Sequence, residues 1–182
     1  MNRRQAIYGM AVVAATAPLT LTAQEVSNWT AWWERSKKYT LLIADAMPAA
    51  DYNFAPFGSG AADAVRSGDG ARTFGQLMQH IGQAEGFYLG RFGKGGPAPT
   101  PPSGDTTKDA TIKYLNALLD WSVSVVKQLT PADLANPVPS GRGAAMTGLD
   151  ALLNAMVHTA HTRGYSDMYR RNKGVKPPTY QV

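Results

Sequence analysis

Three histidines, His80, His158 and His161, are the residues in this chain best suited to chemistry. A neutral imidazole binds divalent zinc, nickel or copper, and three around one ion leave a fourth position for water. His158 and His161 are three residues apart. At about 100° per residue they leave a helix on one side, about 60° from each other. Asn154 and Tyr165 fall in the same polar seam. Polar groups inside a bundle need partners, because an unpaired one costs about 1–3 kcal/mol. Two imidazoles on one helical side can meet that need by sharing a cation. His80 lies in an earlier segment beside Leu77, Ala84 and Phe87. Against the metal reading stands a plainer one, in which each histidine is a packed or exposed side chain.

Glu85 is the second unusual residue. It projects into an apolar helical face made by Phe74, Met78, Ile81, Leu89 and Phe92. A buried carboxyl must be paired, protonated or serving chemistry. It is either an internal ion pair or capping contact, or a general base or partner to an imidazole. Other chemistries are excluded. There is no cysteine, so disulfides, zinc-thiolate sites and thiol nucleophiles are absent. The H-E-x-x-H pattern of zincin proteases is missing as well.

Four long helical segments must position these groups. The first spans about 28–46, with Trp29, Trp32 and Trp33 at i, i+3, i+4 and then Leu41, Leu42 and Ala46. The tryptophans read as core, with a ligand-stacking platform as the other use. Pro48 ends this helix, and a Gly/Ser/Ala-rich loop follows over 57–71. Thr73 caps the second helix, and Gly93-Lys94-Gly95-Gly96 stops it. A Pro-rich crossover, 97–104, leads to a third helix over about 106–129. Pro131 opens a turn, and 137–143 is a loop by its Pro and Gly content. The fourth helix covers about 145–172, with Leu149, Leu153, Val157, Ala160 and Met168 on its apolar side. No strand pattern appears. The sequence therefore predicts an all-α four-helix bundle with a long crossover connection.

The N-terminus reads as an export signal over 1–23. Arg3-Arg4 precede a mild apolar run, Ile7 to Leu21, that closes in Thr22-Ala23, a secretory pattern with a twin-arginine flavour. The expectation is a bacterial periplasmic or secreted protein, its bundle in residues 24–182, with no stable membrane span after cleavage; the alternative is an uncleaved membrane anchor, for which the apolar run is short and holds Pro18. The formal charge is +5 over 182 residues. Without Arg3 and Arg4 the 18 basic residues fall to 16, against 13 acidic. So weak a surplus, with no dense basic stripe, excludes a nucleic-acid-binding surface.

Several segments resemble the DinB/YfiT-like four-helix metal-binding family. Met47-Pro48-Ala49-Ala50-Asp51-Tyr52-Asn53-Phe54-Ala55-Pro56 looks like its turn after the first helix. Arg72-Thr73-Phe74-Gly75-Gln76-Leu77-Met78-Gln79-His80-Ile81 is similar to its second-helix start. His158-Thr159-Ala160-His161-Thr162-Arg163-Gly164, with Gly174-Val175-Lys176-Pro177-Pro178, resembles its last helix and tail. The likeness covers nearly all of residues 27–182. It implies a divalent metal, zinc or nickel, held by His80 and His158. The family's last-helix pattern puts its further histidine at i+4, where this chain has Thr162. His161, at i+3, is the substitute that helical geometry offers.

Two functions stay open, the first implied by the resemblance and the second favoured by the missing i+4 histidine. One is metal-dependent chemistry on a small-molecule substrate, as a hydrolase or transferase, with Glu85 as a weak candidate base. The other is a non-catalytic bundle that binds a metal or small ligand at a degenerate site. The resemblance also implies a homodimer, which no residue of the sequence specifies.

Overall fold

A computed structural model describes residues 23–56, 72–139 and 145–180. The expected signal falls outside them except for Ala23, as does the 57–71 loop. Four main helices form the frame: α1 (Ala23–Ala46), α2 (Phe74–Leu89), α3 (Lys108–Lys127) and α5 (Gly148–Asn172), with a short α4 (Pro131–Ala135) before the last. Among the described residues no helix is long and apolar enough to cross a membrane.

Three of these helices begin where side chains satisfy their first amides. Thr73 accepts from Gln76 N, and Gln76 returns a bond to Thr73 N. Thr130 with Asp133 and Thr147 with Asp150 repeat this reciprocal box at α4 and α5. Such caps contribute about 1 kcal/mol each and fix where the chain turns into the helix. Pro131 sits in the first turn of α4, where its missing N–H costs nothing. The Pro131 turn expected from sequence is therefore a five-residue helix.

α2 packs chiefly on α5 and α3, and α1 on α3. The core runs through the bundle as two clusters. One joins Trp33, Leu89, Leu118, Trp121, Val125 and Leu152; the other joins Ile43, Phe74, Leu77, Ile81, Leu115 and Tyr169. Trp33 is buried, with Trp29 and Trp32 half-buried against the same cluster, so the tryptophans are core. The α2–α3 crossover is pinned to the bundle. Trp121 Nε1 donates to Gly96 O at 3.1 Å, and Gln79 Nε2 to Asp105 O at 2.7 Å. A Cβ at Gly75 would collide with the Thr106 carbonyl oxygen, so only glycine lets the crossover lie this close.

Two expectations are corrected. The 137–143 loop holds a strand residue pair: β1 (Pro137–Val138) meets β2 (Met146–Thr147) antiparallel, Pro137 opposite Thr147 and Val138 opposite Met146. Two residues are too few to leave a period-2 pattern in the sequence. The second correction is larger. The apolar side of the last helix does not face the core: Leu153, Val157, Ala160 and Met168 are exposed. α5 instead buries Ala151, Leu152, Ala155, Thr159, Thr162, Arg163, Ser166, Tyr169 and Arg170. Arg163 and Ser166 can take the inner face because they find partners there. Arg163 Nη1 donates to Ser36 Oγ at 3.1 Å and Ser36 O at 3.3 Å. Ser166 Oγ donates to Arg163 O at 2.7 Å.

Candidate metal centre

α2 and α5 each bring one imidazole to their shared groove. His80 Nε2 and His158 Nε2 lie 3.2 Å apart, with ring centroids 4.8 Å apart and planes at 72°. Both residues are half-buried. Thr73 sets where α2 starts and Thr147 where α5 starts, and the packing of α2 on α5 brings the two imidazoles together. Thr162 Oγ1 stands 3.5 Å from His158 Nδ1 and faces the ring nitrogen away from His80. Arg72, Gln83, Ala84, Phe87 and Tyr88 line, with the two histidines, an open cleft of about 390 Å³.

Two imidazole nitrogens at this separation suit two chemistries. One is a direct hydrogen bond, with one ring donating through its N–H and the other accepting. The other is a shared cation. Zinc binds imidazole nitrogen at about 2.0–2.1 Å in tetrahedral array, which puts neighbouring donors about 3.3 Å apart. The observed 3.2 Å matches that spacing. The spacing is thus compatible with two positions of a zinc shell and equally with a direct hydrogen bond between the rings.

His161 is elsewhere. It is exposed and its ring meets Tyr165 edge-on, 4.7 Å between centroids. Among the described residues no group of three or more His, Asp or Glu side chains converges on a point. The structure thus brings together two of the three histidines singled out by sequence. Asn154 and Tyr165, the rest of the polar seam, are exposed too.

Glu85 sits apart, deep in the bundle at 1% exposure. Thr159 Oγ1 donates to Oε1 at 2.9 Å and Trp33 Nε1 to Oε2 at 3.4 Å. The Ser122 hydroxyl faces the carboxyl without reaching hydrogen-bond geometry. Burial pushes the carboxyl above its ordinary value; these neutral donors and the more distant Arg163 charge oppose that push. The carboxyl is held by Thr159 and Trp33, so it is an internal hydrogen-bonded group and no partner to the imidazole pair. Sequence reasoning placed it on the correct face. What it missed were Thr159 and Trp33, which contact it from α5 and α1.

The cleft thus lies between α2 and α5, on the segments whose motifs resembled a known family. A family model for the DinB superfamily matches residues 32–166. The chain belongs to the DinB superfamily. Two solved structures share its fold. A DinB-like protein from Bacillus cereus aligns with a TM-score of 0.69 at 18% identity, over 85% of this chain and 97% of its own. The DinB-like YjoA protein of Bacillus subtilis gives 0.64 at 19%, with the same coverage. No curated protein sequence matches the chain.

Proposed function

We propose that this DinB-superfamily bundle binds one divalent metal ion between His80 and His158, in a cleft open to a small molecule. The observation that carries the reading is the 3.2 Å approach of the two Nε2 atoms in the cleft. An ion held there by two imidazoles keeps open positions for water and supplies Lewis-acid chemistry to a bound carbonyl or phosphoryl oxygen. The chain's own part is positional. The two helices hold the imidazoles, and Phe87 and Tyr88 offer ring surface to the apolar body of a ligand. The activity that fits is hydrolysis or group transfer on a small substrate, in the periplasm or outside the cell if the N-terminal segment acts as an export signal.

A second reading is favoured by His161. With that ring on Tyr165 and Thr162 at the i+4 position, the described residues supply two imidazoles, and the bundle binds a metal or small ligand without turnover. Metal analysis after purification without chelator, followed by titration with zinc and nickel, tests the site. The expected result is one equivalent, lost in His80→Ala and in His158→Ala. No binding by the wild type would refute the site. His161→Ala reads whether that ring swings off Tyr165 to join: unchanged affinity assigns two ligands, and reduced affinity three. Hydrolysis of a panel of small esters and amides, lost in His80→Ala, separates the catalytic reading from the binding one.

A further inference from the structure

The cleft between α2 and α5 carries charge of one sign. No aspartate or glutamate lines it, whereas Arg72 does. Glu85, the one acid of α2, is turned into the core by Thr159 and Trp33. Acids elsewhere on the surface meet lysines: Lys127 Nζ lies 2.7 Å from Glu34, Lys94 Nζ 3.0 Å from Asp133 and Lys108 Nζ 3.1 Å from Asp45. A second guanidinium, Arg91, stands beyond the aromatic end of the cleft. It lies 4.4 Å from the Phe87 ring centroid and 5.9 Å from that of Tyr88. Its Nη1 donates to the Pro139 carbonyl at 2.5 Å, and among the described residues no carboxylate pairs with it.

The cleft groups follow in order along α2. His80, Gln83, Ala84 and Phe87 are spaced i, i+3, i+4 and i+7, so they share one face. At about 1.5 Å per residue, His80 stands about 10 Å from the Thr73 cap, beside which Arg72 lies, and about 10 Å from Phe87. The backbone of Arg72 is fixed, because its carbonyl accepts from Tyr169 Oη at 2.9 Å. Its guanidinium is a planar fork with several N–H donors, so it can take both oxygens of an acid group and keep a further contact. Phe87 is 54% exposed although Arg91 covers one face of its ring. This arrangement decides the sign of a ligand. A cation would meet Arg72 with no carboxylate in the lining to offset it, and the ring face that could bind an ammonium is taken by Arg91. An anion with an apolar body finds favourable contacts at both ends, and a divalent ion on the imidazoles would add to the same field.

We propose that the ligand of this cleft is a small organic acid, its carboxylate or phosphate on Arg72 and its apolar, preferably aromatic, body against Phe87 and Tyr88. The assignment rests on the reading of this cleft as a small-molecule site, and adds the charge and the polarity order of the molecule that enters it. The volume of about 390 Å³ is in the range of small-ligand sites. The middle of such a molecule falls over the Nε2 atoms of His80 and His158, where an ester or amide link would meet them. Arg72 is then the residue that selects the ligand, and it acts whether or not an ion is bound.

The test is calorimetric titration of the full chain with N-benzoylglycine, its primary amide and N-aminoethylbenzamide, which have one shape and carry negative, no and positive charge. Both zinc-loaded and metal-free protein are titrated, because a carboxylate also binds zinc directly. In both forms the acid should bind at least about tenfold tighter than the amide, since a charge-assisted hydrogen bond is stronger than a neutral one. The ammonium compound should not bind. Arg72→Gln should bring the acid down to the affinity of the amide, and Arg72→Lys should keep part of the difference. Phe87→Ala should weaken acid and amide by the same factor, with helicity of each variant checked by circular dichroism. Benzoylaminomethylphosphonate separates the two acid groups: tighter binding than N-benzoylglycine assigns a phosphate to Arg72, weaker binding a carboxylate. A chain that binds no zinc yet prefers the acid refutes the metal site and leaves this inference standing. A chain that binds zinc and takes acid and amide equally, or keeps its preference in Arg72→Gln, overturns this inference alone. Binding of none of these compounds by either form would overturn it as well.

Discussion

Glu85→Gln should stabilise the protein at pH 8 and change little near pH 4.5. Burial raises the folded carboxyl above its ordinary 4.5. Below that value the carboxyl is protonated in both states and contributes no pH dependence. As pH rises, the unfolded chain releases the proton first, so the folded state holds more protons and stability falls. The slope is about 1.4 kcal/mol per pH unit, from the ordinary value up to the folded one, and then levels off. A glutamine at this position cannot titrate, so the gap between variant and wild type should open over that window. The amide oxygen still accepts from Trp33, and the NH2 takes the place facing Thr159, whose hydroxyl can turn to accept from it. The same NH2 can donate to the Ser122 or Tyr114 hydroxyl, two buried groups that lack partners. Glu85→Ala provides the scale: it strands both donors and leaves a cavity, and should cost about 3–5 kcal/mol at pH 5. Urea unfolding of the three proteins from pH 4.5 to 8 reads all of this. A glutamine variant that loses stability, increasingly so at high pH, would refute the reasoning. It would show that the core needs the charge, held against Arg163.

Gly75→Ala should destabilise by more than the roughly 1–3 kcal/mol of ordinary overpacking, because the new methyl meets the Thr106 carbonyl and the crossover backbone must move; thermal unfolding checks it. Thr73→Ala removes one arm of the box at the start of α2 and should cost about 1 kcal/mol by urea unfolding. Since α2 positions His80, the same variant should also weaken zinc binding by a small factor. Thr162→His puts an imidazole at i+4 from His158 and should tighten zinc binding by on the order of tenfold or more, about 1.4 kcal/mol. Calorimetric titration showing no gain would mean that position 162 cannot reach the pair.

The sequence made the frame legible because helix caps and apolar spacing are local. Thr73, the Pro-rich crossover and the position of Glu85 among Phe74, Ile81 and Leu89 all follow from neighbours within a few turns. The rotation of α5 does not. Its two faces are nearly equal in hydropathy, and the face with more apolar carbon, Leu153, Val157 and Met168, points outward. What decides the rotation is distant: Arg163 finds Ser36, and Thr159 finds Glu85, across the bundle. The same rotation settles the histidines. His158 stands at the edge of the buried face, where α2 can bring His80 to it, and the three further residues to His161 carry that ring out onto Tyr165. A spacing argument saw two imidazoles on one side of a helix, which is correct. It had no means of knowing that the boundary between groove and solvent passes between them. The pairing of His80 with His158 and the exposure of His161 are therefore two consequences of one rotation. Removing one of Arg163's partners should therefore disturb the imidazole pair: Ser36→Ala is expected to lower stability and to weaken zinc binding in the same protein, and a destabilised variant with unchanged zinc affinity would refute the link.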